Sequence, residues 1–406
     1  MGKSEKIVVG LDIGTTKTCA IVADIVDQHK VNIIGIGTHP SNGIRKGVIV
    51  NIESTVESIR KAVEEAELMA GVQINSVYAG IAGSHIKGFN SKGVIAVKEN
   101  EVLPSDIKRV IGAAKAVAIP QDREILHILP QTFTVDDQDG IKDPLGMSGV
   151  RLEAEVHIIT GSVASSQNIV KSIHRAGLEV GELILQPMAS SESVLFPEEK
   201  ELGVTLVDIG GGTTDVAIFK NGSIWHTAVI PIGGNHLTHD IAVGLRTPLA
   251  EAEKIKIKYG YALRKPDNHD DTIEVPGVGG RSPRILSRNF LSEIIESRSE
   301  EIFQLVSQEI KKNGQNEMSP SGVVITGGSA LMEGMVEVAE RVLDLPVRVG
   351  YPVDVGGVAD VVRSPMYATG VGLILYAVRT RERPEQQAPQ NGNFVYQLRD
   401  WFKELF

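Results

Sequence analysis

The first 85 residues alternate between short apolar runs and polar or glycine-containing turns. Three of these runs are IVVGLDI, TCAIVADI and VNIIGIG, and their length and β-branched content predict three consecutive strands. The next stretch, IESTVESIRKAVEEAELMAG, carries apolar residues at helical spacing and ends at Gly71, which predicts an amphipathic helix. Because the apolar run SVYAGIAG follows this helix, the pattern indicates an α/β lobe.

The pattern changes further along the chain. Residues 84–161 combine strand-like runs with one short helical segment, which predicts a small α+β insertion, and the α/β pattern then returns. Residues 236–299 are richer in charge, Pro and Gly, and residues 380–392 have the composition of a flexible linker. The predicted division is a first α/β lobe (1–83, 162–198, 360–379), an inserted subdomain (84–161), a second α/β lobe (199–235, 300–359) with an upper subdomain (236–299), the linker, and a terminal helix (393–406).

Composition narrows the class of protein. The 406 residues carry a formal net charge of −10, which argues against a general nucleic-acid binder. Cys19 is the single cysteine, so no disulfide forms within the chain and a reducing cytosol is expected. The N-terminus has no long apolar run and no stretch of about 18 apolar residues occurs, so neither a signal peptide nor a membrane span is expected.

Two segments in different halves of the chain share one plan. The stretches VGLDIGTTKTCAIV (9–22) and TLVDIGGGTTDVAI (205–218) each contain a strand, Asp-Ile-Gly, a Gly/Thr turn and a second strand. This similarity suggests a duplicated α/β unit. Glycines expose backbone N–H groups to a phosphate, and threonine hydroxyls add further donors. The candidate phosphate-binding residues are Gly14, Thr15, Thr16 and Lys17 in the first hairpin, and Gly210, Gly211, Gly212, Thr213 and Thr214 in the second.

Other residues extend this candidate site. Asp12 and Asp208 end the first strand of each hairpin, where a carboxylate can hold Mg²⁺ through water, and Lys17 can offset phosphate charge. A third glycine turn lies in VVITGGSALMEGM. Because its glycines have no side chain, a flat base or ribose could lie against the backbone there. The residues predicted for that contact are Gly327, Gly328, Ser329 and Met332.

Two such hairpins followed by a late TGG turn resemble the actin/Hsp70/sugar-kinase ATPase superfamily. The resemblance covers about residues 6–380 and implies an actin-like fold in which two similar α/β lobes close on ATP and Mg²⁺. The superfamily also places a Glu-x-x-Lys pair beside the base. In EAEKIKIKYG this pair corresponds to Glu253 and Lys256, although an ordinary surface ion pair would have the same spacing.

The position of the inserted material distinguishes the branches of this superfamily. Between Gly37 and Asn51 there is no room for the subdomain that actin carries there, and the extra residues follow SVYAGIAG instead. This displacement, together with GVRLEAEVHIIT, LGVTLVDIGGGTTDVAIF and VPGVGGRSPR, resembles the bacterial cell-division family FtsA. The resemblance implies a self-assembling protein that tethers filaments of the tubulin-like FtsZ to the inner face of the cytoplasmic membrane. It also implies that 84–161 recruits later division proteins.

The family resemblance also assigns a partner surface. In FtsA-like proteins the upper subdomain of the second lobe binds the C-terminal tail peptide of FtsZ. Arg284 and Arg298 are the positions that carry over, as bidentate partners for groups of that peptide. Composition alone favours solvated surface charge here.

Gln186 bears on catalysis. Chaperone-like relatives carry Glu-Pro where this chain has Gln186-Pro187. An amide can orient water but cannot accept a proton as a carboxylate does, so we expect ATP binding with slow or negligible hydrolysis. A true ATPase or phosphotransferase with the tail as a regulatory flap, or a pilus- or secretion-type adaptor, remains an alternative.

Within the last fourteen residues, NFVYQLRDWFKELF, the apolar positions recur at helical spacing and would form one stripe along a helix. Their concentration of aromatic residues behind a linker favours a helix lying in the membrane interface, and a docking helix is the alternative. The stripe consists of Phe394, Val395, Leu398, Trp401, Phe402, Leu405 and Phe406.

Overall fold

A computed structural model describes residues 6–27, 30–264, 271–312 and 319–381. Its strands are β1 (Ile7–Ile13), β2 (Lys17–Asp27), β3 (Lys30–Pro40), β4 (Ile44–Arg45), β5 (Val48–Ile49), β6 (Ser76–Ile81), β7 (Lys87–Ala96), β8 (Arg123–Val135), β9 (Gln138–Ile141), β10 (Arg151–Ser162), β11 (Glu179–Leu185), β12 (Val204–Ile209), β13 (Thr214–Lys220), β14 (Ser223–Ile230), β15 (Thr272–Val275), β16 (Arg284–Ser287), β17 (Val323–Thr326), β18 (Val347–Val349) and β19 (Val355–Gly357). Its helices are α1 (Ile52–Ala70), α2 (Pro104–Lys115), α3 (Val163–Arg175), α4 (Gln186–Val194), α5 (Pro197–Leu202), α6 (Gly234–Leu245), α7 (Leu249–Tyr259), α8 (Arg288–Lys312), α9 (Met335–Leu343), α10 (Ala359–Val362) and α11 (Ala368–Arg381).

The two lobes are built on sheets of matching topology. The first sheet has the order β11-β6-β1-β2-β3-β19 and the second has the order β18-β17-β12-β13-β14. In each sheet an antiparallel meander of three strands is extended by a strand parallel to the first one, β6 beside β1 and β17 beside β12. The hairpin registers also match, since Asp12 lies opposite Cys19 and Asp208 opposite Asp215. The duplicated unit predicted from the sequence is confirmed.

Apolar faces of the helices hold each sheet. Helix α1 begins at the Asn51 cap and ends at Gly71 in the left-handed conformation, as its sequence predicts, and it buries Ile59 and Ala66. Helix α11 packs against α4 so closely that a β-carbon on Gly372 would lie 1.9 Å from the carbonyl oxygen of Ala189. This contact holds α4, which begins at Gln186, firmly within the first lobe.

Residues of the predicted insertion form a separate four-stranded sheet of order β7-β10-β8-β9. Helix α2 packs on this sheet, where Gly93 approaches the backbone of Val110 and Ala114, and the apolar residues between them form their own core cluster. The sheet also contacts the second lobe along β14. The inserted subdomain therefore has its own core and lies against both lobes.

Three details differ from the expected division of the chain. Strand β19, expected in the second lobe, pairs with β3 at the edge of the first sheet. The expected boundary between residues 299 and 300 falls inside the continuous helix α8. The short segment before α1 forms a small hairpin, β4–β5. The other proposed boundaries stay predictions, and the predicted terminal helix lies outside the described residues.

Candidate functional site

The two Gly/Thr hairpins meet face to face between the lobes. A β-carbon built on Gly211 would lie 2.5 Å from the Thr16 side chain, and one on Gly212 would lie 2.5 Å from Thr15 Oγ1. Any other residue at either glycine would require the opposing threonine side chain or the hairpin itself to move. The space around this contact is a cleft of about 530 Å³, within the range of small-molecule and cofactor sites.

Nearly all predicted nucleotide-site residues line this one cleft. Thr214 is the exception, because it lies in β13 and its hydroxyl donates to the Ile232 carbonyl oxygen at 2.8 Å. The predicted residues that line the cleft are Asp12, Gly14, Thr15, Thr16, Lys17, Gln186, Asp208, Gly210, Gly211, Gly212, Thr213, Glu253, Lys256, Gly327, Gly328, Ser329 and Met332.

The hairpin turns present backbone donors to the cleft. Each turn is closed by the same bond, from Gly14 N–H to the Lys17 carbonyl and from Gly210 N–H to the Thr213 carbonyl, both at 3.0 Å. The N–H groups between these positions, at residues 15, 16, 211 and 212, donate no hydrogen bond to another described residue. They are therefore available to phosphate oxygens, as in other backbone anion sites.

Three carboxyl groups lie buried beside these donors. Burial raises the pKa of Asp12 to about 6, with the nearby Lys17 ammonium opposing the shift. Burial also raises the pKa of Asp208, and burial together with the Asp208 charge raises the pKa of Asp215 to about 8. Gathering carboxylates in a low-dielectric cleft is unfavourable without a cation. The donor set therefore suits a bound cation.

Asp208 and Asp215 differ in their hydrogen-bond partners. Asp208 Oδ2 accepts from the Ser190 hydroxyl at 2.8 Å and from the Thr369 hydroxyl at 3.3 Å. Asp215 Oδ2 accepts from Thr213 at 3.0 Å, whereas Asp215 Oδ1 is buried and has no partner among the described residues. A buried acceptor without a partner is costly, so Oδ1 is the atom of this group that a cation or its water would satisfy.

Direct protein ligation of a metal is not indicated. No group of three or more His, Cys, Asp or Glu side chains in the described ranges is arranged to hold a metal ion. A cation at this position would therefore complete its shell with water or phosphate oxygens, which is the usual coordination of Mg²⁺.

Lys17 is held at the edge of the cleft. Its ammonium donates to the Met366 carbonyl at 2.6 Å and lies 4.3 Å from the centre of the Tyr367 ring. Burial raises the pKa values of Asp12 and Asp208, and the positive charge of Lys17 opposes this rise. The predicted role of Lys17 in offsetting phosphate charge stays a prediction.

The predicted base-binding elements also converge. Lys256 forms an ion pair with Glu253 at 2.7 Å and donates to Thr238 Oγ1 at 2.8 Å, so the pair joins helices α6 and α7. Opposite them, Gly327 has a φ of 84°, and a β-carbon there would lie 2.4 Å from Asp208 Oδ1. The turn after β17 therefore favours glycine strongly, and both this turn and the ion pair line the cleft.

Gln186 is the first residue of α4 and lies at the base of the cleft. Its Nε2 donates to Asp12 Oδ1 at 3.1 Å, and its side chain passes over Gly80 in β6. This geometry ties the predicted water-orienting amide to a predicted magnesium-site carboxylate.

Several lining residues were not predicted. Asp215 could have been, because it ends the same VDIGGGTTD stretch and the hairpin register places it opposite Asp208. Asn235, Arg288 and Thr369 also line the cleft. No local pattern marks these three, since they come from elements distant in the chain.

The two predicted partner-binding arginines have different surroundings. Arg284, in β16, donates to the carbonyl oxygens of Leu245 and Arg246 at the end of α6. Arg298 forms a bidentate pair with Asp240, at 2.6 and 3.1 Å, and also contacts Glu301. Arg298 thus already ties α8 to α6, and a partner would have to compete for it.

The predicted membrane-binding residues from Phe394 to Phe406 lie outside the described residues. Within the described part of the chain, no helix is long and apolar enough to cross a bilayer.

Comparison with known proteins identifies a family. Residues 205–372 match the family model "Cell division protein FtsA", and residues 83–160 match "SHS2 domain inserted in FTSA". The chain is 54% identical over 377 residues to Cell division protein FtsA of Pseudomonas aeruginosa, covering 93% of this chain and 90% of that one. It is 42% identical over 413 residues to the Escherichia coli K12 protein of the same name, covering 99% and 98%.

Solved structures of lower sequence identity share the actin-like fold. A structure titled PilM-PilN type IV pilus biogenesis complex matches with a TM-score of 0.68 at 15% identity, covering 91% of this chain and 98% of that one. MreB5 of Spiroplasma citri bound to ADP matches with a TM-score of 0.57 at 15% identity, covering 93% and 99%. A MamK double helical filament matches with a TM-score of 0.52 at 12% identity, covering 93% and 99%.

The raised pKa of Asp215 predicts a pH-dependent stability difference. An unfolded Asp titrates near 3.8, whereas folded Asp215 titrates at about 8, so between these values the folded state holds a proton that the unfolded state releases. The stability contribution of this group is present at acidic pH and is lost as pH rises towards 8. In EDTA, Asp215→Asn should raise the melting temperature by about 2–4 °C at pH 8 and by little at pH 5. The exposed Asp137→Asn is the control, and a gain for Asp215→Asn that is larger at pH 5 than at pH 8 would contradict the assignment.

Proposed function

The chain belongs to the FtsA family of cell division proteins, and from this we propose that it is an ATP-binding, self-assembling protein that tethers FtsZ filaments to the membrane. The proposal of ATP binding rests on one observation: two glycine-threonine hairpins contact each other beside three buried carboxyl groups. Self-assembly is supported by the family and by filament-forming neighbours of the same fold. The inserted subdomain is the proposed docking site for later division proteins.

Mg·ATP would be held between the lobes. The free N–H groups at residues 15, 16, 211 and 212 and the Lys17 ammonium would bind its phosphates. Asp12, Asp208 and Asp215 would hold Mg²⁺ through water, and the metal would neutralise charge that burial makes unfavourable for them. Glu253, Lys256 and the Gly327 turn would enclose the base and ribose. Contacts from both lobes make nucleotide binding favour the closed arrangement.

Slow or negligible hydrolysis is expected from this site. Gln186 is the group in position to orient a water, and its amide already donates to Asp12. Because an amide cannot accept the proton of the attacking water, the site would hold ATP much longer than an ordinary ATPase does.

Replacing Asp208 tests the magnesium and phosphate assignment. Calorimetry should show that Asp208→Ala weakens Mg·ATP binding at least about tenfold, the effect of losing a charge-assisted contact. For ATP in EDTA the loss should disappear or become a gain in affinity, because the carboxylate then only repels the phosphates. Asp137→Ala, an exposed carboxylate on the inserted subdomain, should bind like the wild type. Equal Mg·ATP affinity of Asp208→Ala and wild type would refute the assignment.

Membrane attachment is proposed for the terminal segment. Its seven-residue apolar stripe would contribute roughly 5–10 kcal/mol when half buried in the interface, before the cost of ordering the helix is subtracted. The chain is acidic overall, with a net charge of −10, so apolar burial and not electrostatic attraction must drive binding. A single anchor would be reversible, whereas several on one polymer would hold firmly.

Liposome flotation tests the anchor. A chain ending at Arg379 should not float, and the full chain with Trp401→Glu should lose most of its binding, because a charge then enters the apolar stripe. Gln397→Glu adds the same charge on the polar side of the helix and is the matched control. Flotation of the truncated chain equal to that of the full chain would exclude the tail as the anchor.

The upper subdomain of the second lobe is proposed to bind the FtsZ C-terminal tail peptide. Two large exposed apolar residues belong to the elements that Arg284 joins: Ile285, the next residue of β16, is 66% exposed, and Val243 of α6 is 63% exposed. Apolar side chains next to a cation suit a peptide with both apolar and acidic groups. Arg298 is less accessible to such a peptide because Asp240 already pairs with it.

A charge reversal tests this surface. Fluorescence anisotropy with a labelled FtsZ tail peptide should show at least about tenfold weaker binding to Arg284→Glu, because an attraction becomes a repulsion. Arg60→Glu, on the distant helix α1, is the control and should bind normally. If Arg284→Glu and Arg60→Glu bind the peptide equally well, the proposed surface is wrong.

A further inference from the structure

Strand β8 of the inserted subdomain contacts both lobes through side chains of its own. His127 Nε2 accepts a hydrogen bond from the backbone N–H of Leu185, the last residue of β11, at 3.1 Å. Farther along the strand, Gln131 Nε2 donates to the carbonyl oxygens of Ile224 and Trp225 in β14, each at 3.1 Å. These bonds satisfy groups on the edge strands β11 and β14 of the two lobe sheets.

The Gln131 side chain is fixed where it makes these contacts. Gln131 is the extra residue of a β-bulge, since Glu155 and Val156 of β10 pair with Thr132 and Pro130 and leave it unpaired. Bulges commonly redirect a side chain in this way, and Gln131 is only 5% exposed. A second contact to β14 lies nearby, where His157 Nε2 is 2.9 Å from Thr227 Oγ1. Strand β8 is therefore held firmly against the second lobe.

The residue that donates to His127 is covalently bonded to a residue that lines the cleft. Leu185 immediately precedes Gln186, which begins α4 and donates to Asp12 Oδ1 at 3.1 Å. The Leu185 side chain cannot accept a hydrogen bond at this helix start, so no side-chain cap fixes the turn. The imidazole of His127 thus adds a side-chain hydrogen bond to the backbone leading into Gln186, on top of the pairing of Leu185 with Ile81 of β6. It is buried at 8% exposure, and burial lowers its pKa to about 4, so it is neutral and can accept this bond at neutral pH.

We propose that His127 is a positioning residue of the nucleotide cleft, which fixes the Leu185–Gln186 turn and thereby holds the Gln186 amide against Asp12. The inference rests on the proposed function, because it assigns the inserted subdomain a role in the proposed ATP site. Since β8 is also bound to β14, the position of Gln186 depends on how the inserted subdomain lies against the second lobe. The subdomain would then sense the closure of the lobes as well as offer a docking surface.

The test uses the full-length chain and substitutions at position 127. His127→Leu removes the acceptor and leaves the Leu185 N–H buried and unpaired, whereas His127→Gln can place an amide oxygen where Nε2 lies. Thr132→Val, on the same strand, is the matched control, because within the described residues its hydroxyl donates only to the adjacent Phe133 carbonyl, at 3.5 Å. Hydrogen exchange without nucleotide should be at least tenfold faster in a peptide spanning 183–188 for His127→Leu, and near wild type for the other two.

Mg·ATP affinity then separates positioning from a general effect on stability. His127→Leu should weaken Mg·ATP binding about tenfold, and His127→Gln should restore most of it. In a Gln186→Ala background His127→Leu should have no further effect, because groups that act through one another are not additive. The same loss in both backgrounds, or no loss in either, would overturn the proposal. If the wild type binds no Mg·ATP, the proposed function fails instead, and the exchange result alone supports or overturns the positioning role.

Discussion

Three carboxyl groups buried in one cleft are the constraint around which this structure is organised. Asp12 and Asp208 end equivalent strands of the two lobes, and Asp215 faces Asp208 across its hairpin. Desolvation raises the pKa values of all three, and the Asp208 charge adds to the rise for Asp12 and Asp215, so bound protons or a cation would relieve this arrangement. A polypeptide that keeps such groups together is selected for binding and not for stability alone.

The packing around the cleft keeps these groups in place at close distances. Glycines 211 and 212 let the two hairpins touch, and Gly327 lets the third turn approach Asp208. The hydroxyls of Ser190 in α4 and Thr369 in α11, both in the first lobe, donate to Asp208 of the second lobe. Because side chains of both lobes line the same cleft, binding of the proposed nucleotide would be coupled to the relative position of the lobes.

The inserted subdomain adds a connection of a different kind. It lies away from the glycine hairpins, yet His127 contacts the strand that leads into Gln186 and Gln131 contacts β14 of the second lobe. A subdomain with its own core can transmit small displacements because packed elements move as units. In an FtsA-family protein, this would give a physical route between the cleft and the surface that is proposed to dock later division proteins.

The sequence by itself determined the α/β class, the duplicated unit, the place of the insertion and the phosphate-binding hairpins and carboxylates around which the cleft is built. These features are readable because strand length, helical spacing and the glycine-threonine turns follow local rules. Tertiary structure alone decided that Asn235, Arg288 and Thr369 line the cleft, that β19 joins the first sheet, and that Arg298 is paired with Asp240. The physical reason is that each of these contacts joins elements far apart in the chain, so no local pattern of residues encodes it.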